Sequence, residues 1–260
     1  MDAVLHTTRE DFSHRDITAL VKKEILAVKI NGFCGAQALE SARERLFDHE
    51  GRGKLSQAGE FGRIGFAYSE ISDDTSRHRY HESAIVNTRL IRDVFAPYAS
   101  PTDELRIMLD EIWPSGAHLM QVDGEKCFIG ICRYQDRDVD LNPHTDALER
   151  NLPTEYGEEL TAQLSVNVYI NIPEQGGELE LWDIEPTESD YQTLMGDRAY
   201  GIDRDKLSEP VAVVKPEPGD FILLNPRLVH AVRPSQDTPR ITIGHFIGYR
   251  GEDRPLVYWS

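Results

Sequence analysis

The stretch CFIGICRYQDRDVDLNPHTD, residues 127–146, decides the fold. It opens with an apolar run of strand length, passes through the turn-forming pair Asn142-Pro143, and ends on His144-Thr145-Asp146. Runs of the same kind recur downstream: LSVNVYINI (164–172), ELELW (178–182), FILL (221–224) and RITIGHFIGY (240–249). Turn residues punctuate them at Gly176-Gly177, Pro218-Gly219-Asp220 and Asn225-Pro226. Short strands separated in this way predict an all-β half.

Upstream the hydrophobic period changes. Over residues 16–30, Ile17, Leu20, Val21, Ile25 and Val28 recur at three- and four-residue steps, which predicts a helix capped by Asp16. Further helices are expected over 37–47, with Leu39, Ala42 and Leu46 on one face, over 90–98 and over 102–112, the last two separated by Pro97 and Pro101. The expected architecture is one domain, 1–260: a mainly helical support over 1–116 and a β core over 117–260. The fold class is mainly β with flanking helices, an antiparallel sandwich or barrel with helices packed against one outer face. Two stretches break the pattern. Residues 51–82 read as an irregular lid, and the acidic residues 183–205 as an insertion beside the barrel.

Composition excludes several classes. The 260 residues carry 45 Asp and Glu against 28 Lys and Arg, a formal charge of −17. That is the wrong sign for nucleic acid or an anionic membrane surface. With 40% hydrophobic residues the chain can bury a core. No apolar run reaches the roughly 18–20 residues that span a bilayer, and the N-terminus lacks the basic start and apolar stretch of a signal peptide, so a soluble cytoplasmic protein is expected. Cys34, Cys127 and Cys132 are too few for a disulfide scaffold and lack metal-site spacing, and they read as buried thiols. GRGKLS (51–56) lacks the full spacing of a phosphate loop.

The chemistry centres on His144 and Asp146. Residues i and i+2 of an extended segment point the same way and can bring an imidazole and a carboxylate to one metal. His230, in LLNPRLVHAV after a strand and turn, is the candidate third ligand. Two His and one carboxylate on one face of an octahedral ion leave the other face open, as in non-haem iron(II) oxygenases. Ten residues beyond His230, Arg240 and Thr242 form another i, i+2 pair that can hold a carboxylate by a charge-assisted contact and a hydroxyl.

The ordered set RYQDRDVDLNPHTD (133–146), GGELELWD (176–183), KPEPGDFILLNPRLVHAV (215–232) and PRITIGHF (239–246) resembles the iron(II)/2-oxoglutarate-dependent dioxygenases of the prolyl 4-hydroxylase-like type. The resemblance implies a double-stranded β-helix, or jelly roll, buttressed by N-terminal helices. It implies Fe(II) held by His144, Asp146 and His230, and 2-oxoglutarate anchored through its far carboxylate by Arg240 and Thr242. Tyr134 matches a tyrosine that often helps hold that carboxylate, and Gly176-Gly177 matches a tight turn before a minor-sheet strand. O2 would be the oxidant and hydroxylation the default outcome, with succinate and CO2 as co-products. Free-standing halogenases of the superfamily are also similar, but they replace the metal-binding carboxylate with a small residue, whereas Asp146 is present here.

The implied substrate is a free amino acid or related small natural-product intermediate. Arg63, Arg77, His78, Arg79 and His81 are candidates to bind it from the 51–82 stretch, alongside Trp182 and His245 on strands. Alternation from Arg240 and Thr242 puts His245 on the opposite face, and Trp182 reads more readily as packing. Two alternatives stay open: the same chemistry on a peptide or carrier-bound substrate, and a cupin-like metal barrel without oxygenation, which would keep the three ligands but need neither Arg240 nor Thr242.

Overall fold

The computed structural model describes residues 3–55, 59–150 and 160–260. Strand β1 (Val4–Thr7) leads through helix α1 (His14–Val21) to strand β2 (Ala27–Ile30) and helix α2 (Ala36–Leu46). Short strands β3 (Gly53–Lys54) and β4 (Phe61–Ile64) precede helices α3 (Asp74–Phe95) and α4 (Pro101–Ile112). Next come β5 (Ala117–Leu119), β6 (Gln121–Val122), β7 (Glu125–Lys126), β8 (Ile131–Gln135), β9 (Leu141–His144), β10 (Ala162–Asn171) and β11 (Leu179–Leu181). Helix α5 (Glu188–Met195) follows, then β12 (Ala212–Val214), β13 (Phe221–Leu224), β14 (His230–Val232), β15 (Arg240–Tyr249) and β16 (Leu256–Trp259).

A major sheet runs in the order β1-β2-β13-β10-β15-β8-β4-β3, with β16 pairing β15 and β5 pairing β16. A minor sheet runs β12-β11-β14-β9, and β6 and β7 form a separate hairpin. The side chains of the long strands alternate between two environments. Val166, Val168, Leu223, Ile241 and Ile243 share a core with Ile17 and Leu20 of α1 and Ala42 and Leu46 of α2. Tyr169, Ile222 and Leu224, from the other face, meet Leu179, Leu181, Val214 and Val232 of the minor sheet. Burial from water of both sets stabilises the sandwich by roughly 1.5–3 kcal/mol per large side chain.

The architecture is mixed α/β, with helices and strands interleaved rather than segregated. The helix expected over 16–30 stops early: Lys23 takes φ +60°, and Ala27–Ile30 becomes a strand buried at every position. Such a four-residue apolar run suits a covered strand, and its spacing from α1 only mimicked a helical period. Asp16 lies one turn inside α1, where its carboxylate accepts from the backbone N–H of the N-cap Ser13 at 2.8 Å. Helices do form at α2 and α4. The helix expected over 90–98 is the end of α3, which starts sixteen residues earlier on an Asp73 cap accepting from Ser76 N at 2.7 Å.

The 51–82 stretch is therefore ordered in large part, contributing β3, β4, the short turn of helix Tyr68–Glu70 and the start of α3, while residues 56–58 lie outside the described residues. The insertion over 183–205 contains α5, started by Thr187 accepting from Asp190 N. The Gly-Gly turn precedes β11 as expected. Both glycines have positive φ, and a Cβ on Gly176 would sit 1.8 Å from the Pro234 carbonyl oxygen, so no side chain fits there. All three cysteines are free and buried. Among the described residues no helix is long and apolar enough to cross a membrane.

Candidate active site

Strands β9 and β14 of the minor sheet pair antiparallel with His144 directly opposite His230. Their rings lie 4.2 Å apart, centroid to centroid. Asp146, just past the end of β9, is fixed by its backbone N–H donating to the Pro226 carbonyl at 2.8 Å. One ligand atom from each of His144, Asp146 and His230 lies within 4.8 Å of the others. Each histidine is oriented from behind: Nδ1 of His144 is 2.8 Å from the Asn142 carbonyl, and Nδ1 of His230 is 3.0 Å from the Leu228 carbonyl. A carbonyl only accepts, so each Nδ1 carries the proton and each Nε2 offers a lone pair to the site.

Electrostatics keep His144 and Asp146 deprotonated. Burial, reinforced by the neighbouring His230, pulls the His144 pKa down to about 4. Burial alone would raise Asp146, but the His230 and His144 imidazoles beside it hold its carboxyl well below the usual range. At neutral pH an incoming cation finds a neutral His144 and a carboxylate Asp146, with no proton to displace from either.

These residues line a cavity of about 400 Å³ whose other wall is the inner face of the major sheet. Arg240 and Thr242 reach it from β15. Both are buried, and among the described residues neither Arg240 Nε nor Thr242 Oγ1 has a hydrogen-bond partner. Tyr169, paired with Thr242 across β10 and β15, lays its ring 5.0 Å from the Arg240 guanidinium, with its hydroxyl beside the same group. Buried donors left unsatisfied in this way are costly, and they mark a place built for an acceptor that is not part of the protein. A dicarboxylate such as 2-oxoglutarate suits this lining: Arg240 and Thr242 would hold one carboxylate in the same cavity as the three ligands. The residues present thus suit both Fe(II) and its co-substrate.

Tyr134 lines the same cavity, but its hydroxyl points elsewhere. It pairs with Ile241, on the face opposite Arg240 and Thr242, and its hydroxyl donates to the Leu46 carbonyl at 2.8 Å. Its hydroxyl is thus already engaged, while Tyr169 is the tyrosine whose ring lies against Arg240. Spacing from His144 pointed to Tyr134, but strand parity decides which way a side chain faces. The signal for Tyr169 was present in LSVNVYINI, where Ser165, Asn167 and Tyr169 place polar atoms at every second position of an otherwise apolar strand.

The substrate candidates of the 51–82 stretch are not brought to the cavity. Arg63 pairs with the buried Glu70. Arg77 pairs with Asp74, His78 with Glu82, and Arg79 lies over the Phe66 ring. His81 is buried, with Nδ1 3.1 Å from the Lys126 carbonyl. Trp182 is core, its indole N–H donating to the Ser208 carbonyl. His245 is buried away from the cavity, near Tyr258. Residues that do line the cavity and were missed include Arg133, Asn167, Tyr191, Tyr200 and Phe246. Tyr191 and Tyr200 come from the region of α5, whose acidic sequence concealed a short helix.

Comparison with known proteins agrees with this geometry. The chain is 31% identical over 144 residues to L-isoleucine 3(1)-dioxygenase of Pantoea ananatis, an alignment covering 53% of this chain and 48% of that protein. The chain thus spans about half the length of that relative. It is 24% identical over 267 residues to L-γ-glutamyl-L-propargylglycine hydroxylase of Streptantibioticus cattleyicolor, covering 96% of this chain and 93% of that one. Among solved structures, an N-substituted L-amino acid dioxygenase from Burkholderia ambifaria superposes with a TM-score of 0.62 at 15% identity, over 94% of this chain and 90% of its own, and shows the shared oxygenase fold. The family described as carrier-protein-independent halogenase WelO5 matches residues 5–260, and the chain belongs to that family of iron(II)/2-oxoglutarate-dependent oxygenases.

Proposed function

We propose that this protein hydroxylates an unactivated C–H bond of a free amino acid or closely related small molecule, consuming 2-oxoglutarate and O2 and releasing succinate and CO2. The observation that carries the proposal is the convergence, in one cavity, of His144, Asp146 and His230 with Arg240 and Thr242, whose Nε and Oγ1 have no hydrogen-bond partner among the described residues. Iron and 2-oxoglutarate together supply the oxidising chemistry when bound. The chain's own share is positional. His144, Asp146 and His230 would hold the ion; Arg240 and Thr242, with Tyr169 beside them, would hold the far carboxylate of the co-substrate; and the walls between the sheets exclude bulk water. A metal barrel without oxygenation would have no use for buried, unsatisfied donors at Arg240 and Thr242.

Although halogenation gives the family its description, hydroxylation is the favoured outcome, because Asp146 fills with a carboxylate the position that halogenases leave to chloride. The domain is one unit over 1–260, a jelly roll supported by α1 and α2. The amino-acid substrate class is supported by the names of the Pantoea and Burkholderia relatives. The name of the Streptantibioticus relative favours a second reading, a γ-glutamyl-linked amino acid. Aerobic incubation with Fe(II), 2-oxoglutarate and panels of L-amino acids and their γ-glutamyl derivatives, followed by succinate, separates the two: substrate-coupled succinate is expected in the free amino-acid panel. Stimulation by γ-glutamyl compounds alone would favour the second reading, and stimulation by neither panel would remove both.

A further inference from the structure

Arg133 lies on β8 with Thr242 as its β15 partner and faces the cavity beside the iron-ligand set. Three arginines line this cavity among the described residues, against one carboxylate, Asp146. Arg150 is committed: it donates to Glu188 at 2.9 Å and to the Thr145 carbonyl and hydroxyl. Arg240 faces the far end of the co-substrate. Arg133 makes no hydrogen bond or ion pair with any described residue; its guanidinium lies 5.8 Å from the Phe246 ring centroid. Burial disfavours its charge, and the nearby Asp146 compensates only in part. Arg133 is half-buried, and once Asp146 coordinates a cation no carboxylate among the described lining residues is left to meet its guanidinium, so the pairing is completed where a ligand brings the anion.

The geometry points to Arg133 as the residue that holds the substrate's own carboxylate, so that the substrate presents a free carboxylate rather than an ester, amide or thioester. This rests on the amino-acid reading above and deepens it, since a carrier-bound aminoacyl thioester has no such group to offer. A planar guanidinium against a carboxylate gives two parallel hydrogen bonds and fixes orientation as well as affinity. Arg133 lies near both Asp146 and Phe246, so a carboxylate held there leaves the rest of an amino acid to extend toward the paired rings of Phe246 and Trp259, 5.6 Å apart.

The test is calorimetric titration of the anaerobic Fe(II)·2-oxoglutarate protein with the proteinogenic L-amino acids and with their primary carboxamides. Wild type is expected to bind its preferred amino acid about 30-fold more tightly than the matching amide, the scale of one lost charged hydrogen-bond pair. Arg133→Gln should lose that preference while its 2-oxoglutarate affinity stays within about 3-fold of wild type, and Arg133→Lys should restore part of it. Persistence of the acid-over-amide preference in Arg133→Gln overturns the inference, as does a loss that falls on 2-oxoglutarate instead. If wild type forms its co-substrate complex but binds no free amino acid, the amino-acid reading itself fails, and the inference with it.

Discussion

His144 and His230 are each held by the carbonyl two residues before them, Asn142 and Leu228, and this local arrangement sets which ring nitrogen meets the metal. His144→Ala or His230→Ala is expected to lower Fe(II) affinity at least about 100-fold, read by metal content after dialysis; stoichiometric iron in either variant would contradict the ligand set. The tyrosines give a sharper contrast. Tyr169→Phe should raise the 2-oxoglutarate requirement about 5-fold by removing a hydroxyl beside Arg240, whereas Tyr134→Phe should leave it unchanged and lower stability by about 1 kcal/mol, the worth of its bond to Leu46. Titration of both variants with 2-oxoglutarate checks the pair, and the reverse ranking would restore Tyr134 to the site. Motif order made His144, Asp146, His230, Arg240 and Thr242 legible in the sequence. The placement of Tyr169 against Arg240 and of Arg133 in the cavity was hidden because it depends on which strands lie side by side, and no local spacing records that.

At the level of elements, turns and short strands carry the precision of the site. Gly176 has φ +81°, with the Pro234 carbonyl where a Cβ would stand, and the turn it makes feeds β11, the neighbour of the His230 strand. Gly176→Ala should therefore cost more than about 2 kcal/mol in urea unfolding, since positive φ and a backbone clash act together; a loss under 0.5 kcal/mol, on the order of an ordinary surface change, would show the turn can relax. The strands over 127–249 were readable because each is a short apolar run closed by Gly, Pro or Asn. The N-terminal half was less so. Ala27–Ile30 carries apolar residues in phase with α1 and becomes a strand only because Lys23 turns the chain and the edge of β13 accepts it. The Arg- and His-rich run at 77–81 looked like a loop until its neighbours, the Asp73 cap and the buried Tyr80 and Ala84, were seen to make it a helix.

Across the whole molecule, a net charge of −17 surrounds a cavity whose uncommitted side chains are cationic, so an anionic ligand is drawn inward at the one place where its charge is matched. Global stability should also respond to pH through His245. Burial, with Arg106 and Arg133 nearby, depresses its pKa to about 3, below the unfolded value of 6.5. A depressed histidine stabilises the fold fully above pH 6.5 and loses that contribution as pH falls from 6.5 toward 3, because only the unfolded chain takes up the proton. The metal-free protein should lose about 2 kcal/mol from this group between pH 7 and pH 5, and His245→Gln should flatten that part of the slope; an unchanged slope in the variant would assign the acid sensitivity elsewhere. The central claim is that one cavity binds iron through His144, Asp146 and His230 and 2-oxoglutarate through Arg240. Anaerobic titration of the apo-protein with Fe(II) and 2-oxoglutarate tests it most directly, by the weak visible charge-transfer band of a keto acid chelated to iron. The account predicts that the band forms in wild type and that Arg240→Ala needs about 10- to 100-fold more 2-oxoglutarate to form it. Iron binding without the band, or a band formed equally well in Arg240→Ala, would contradict it.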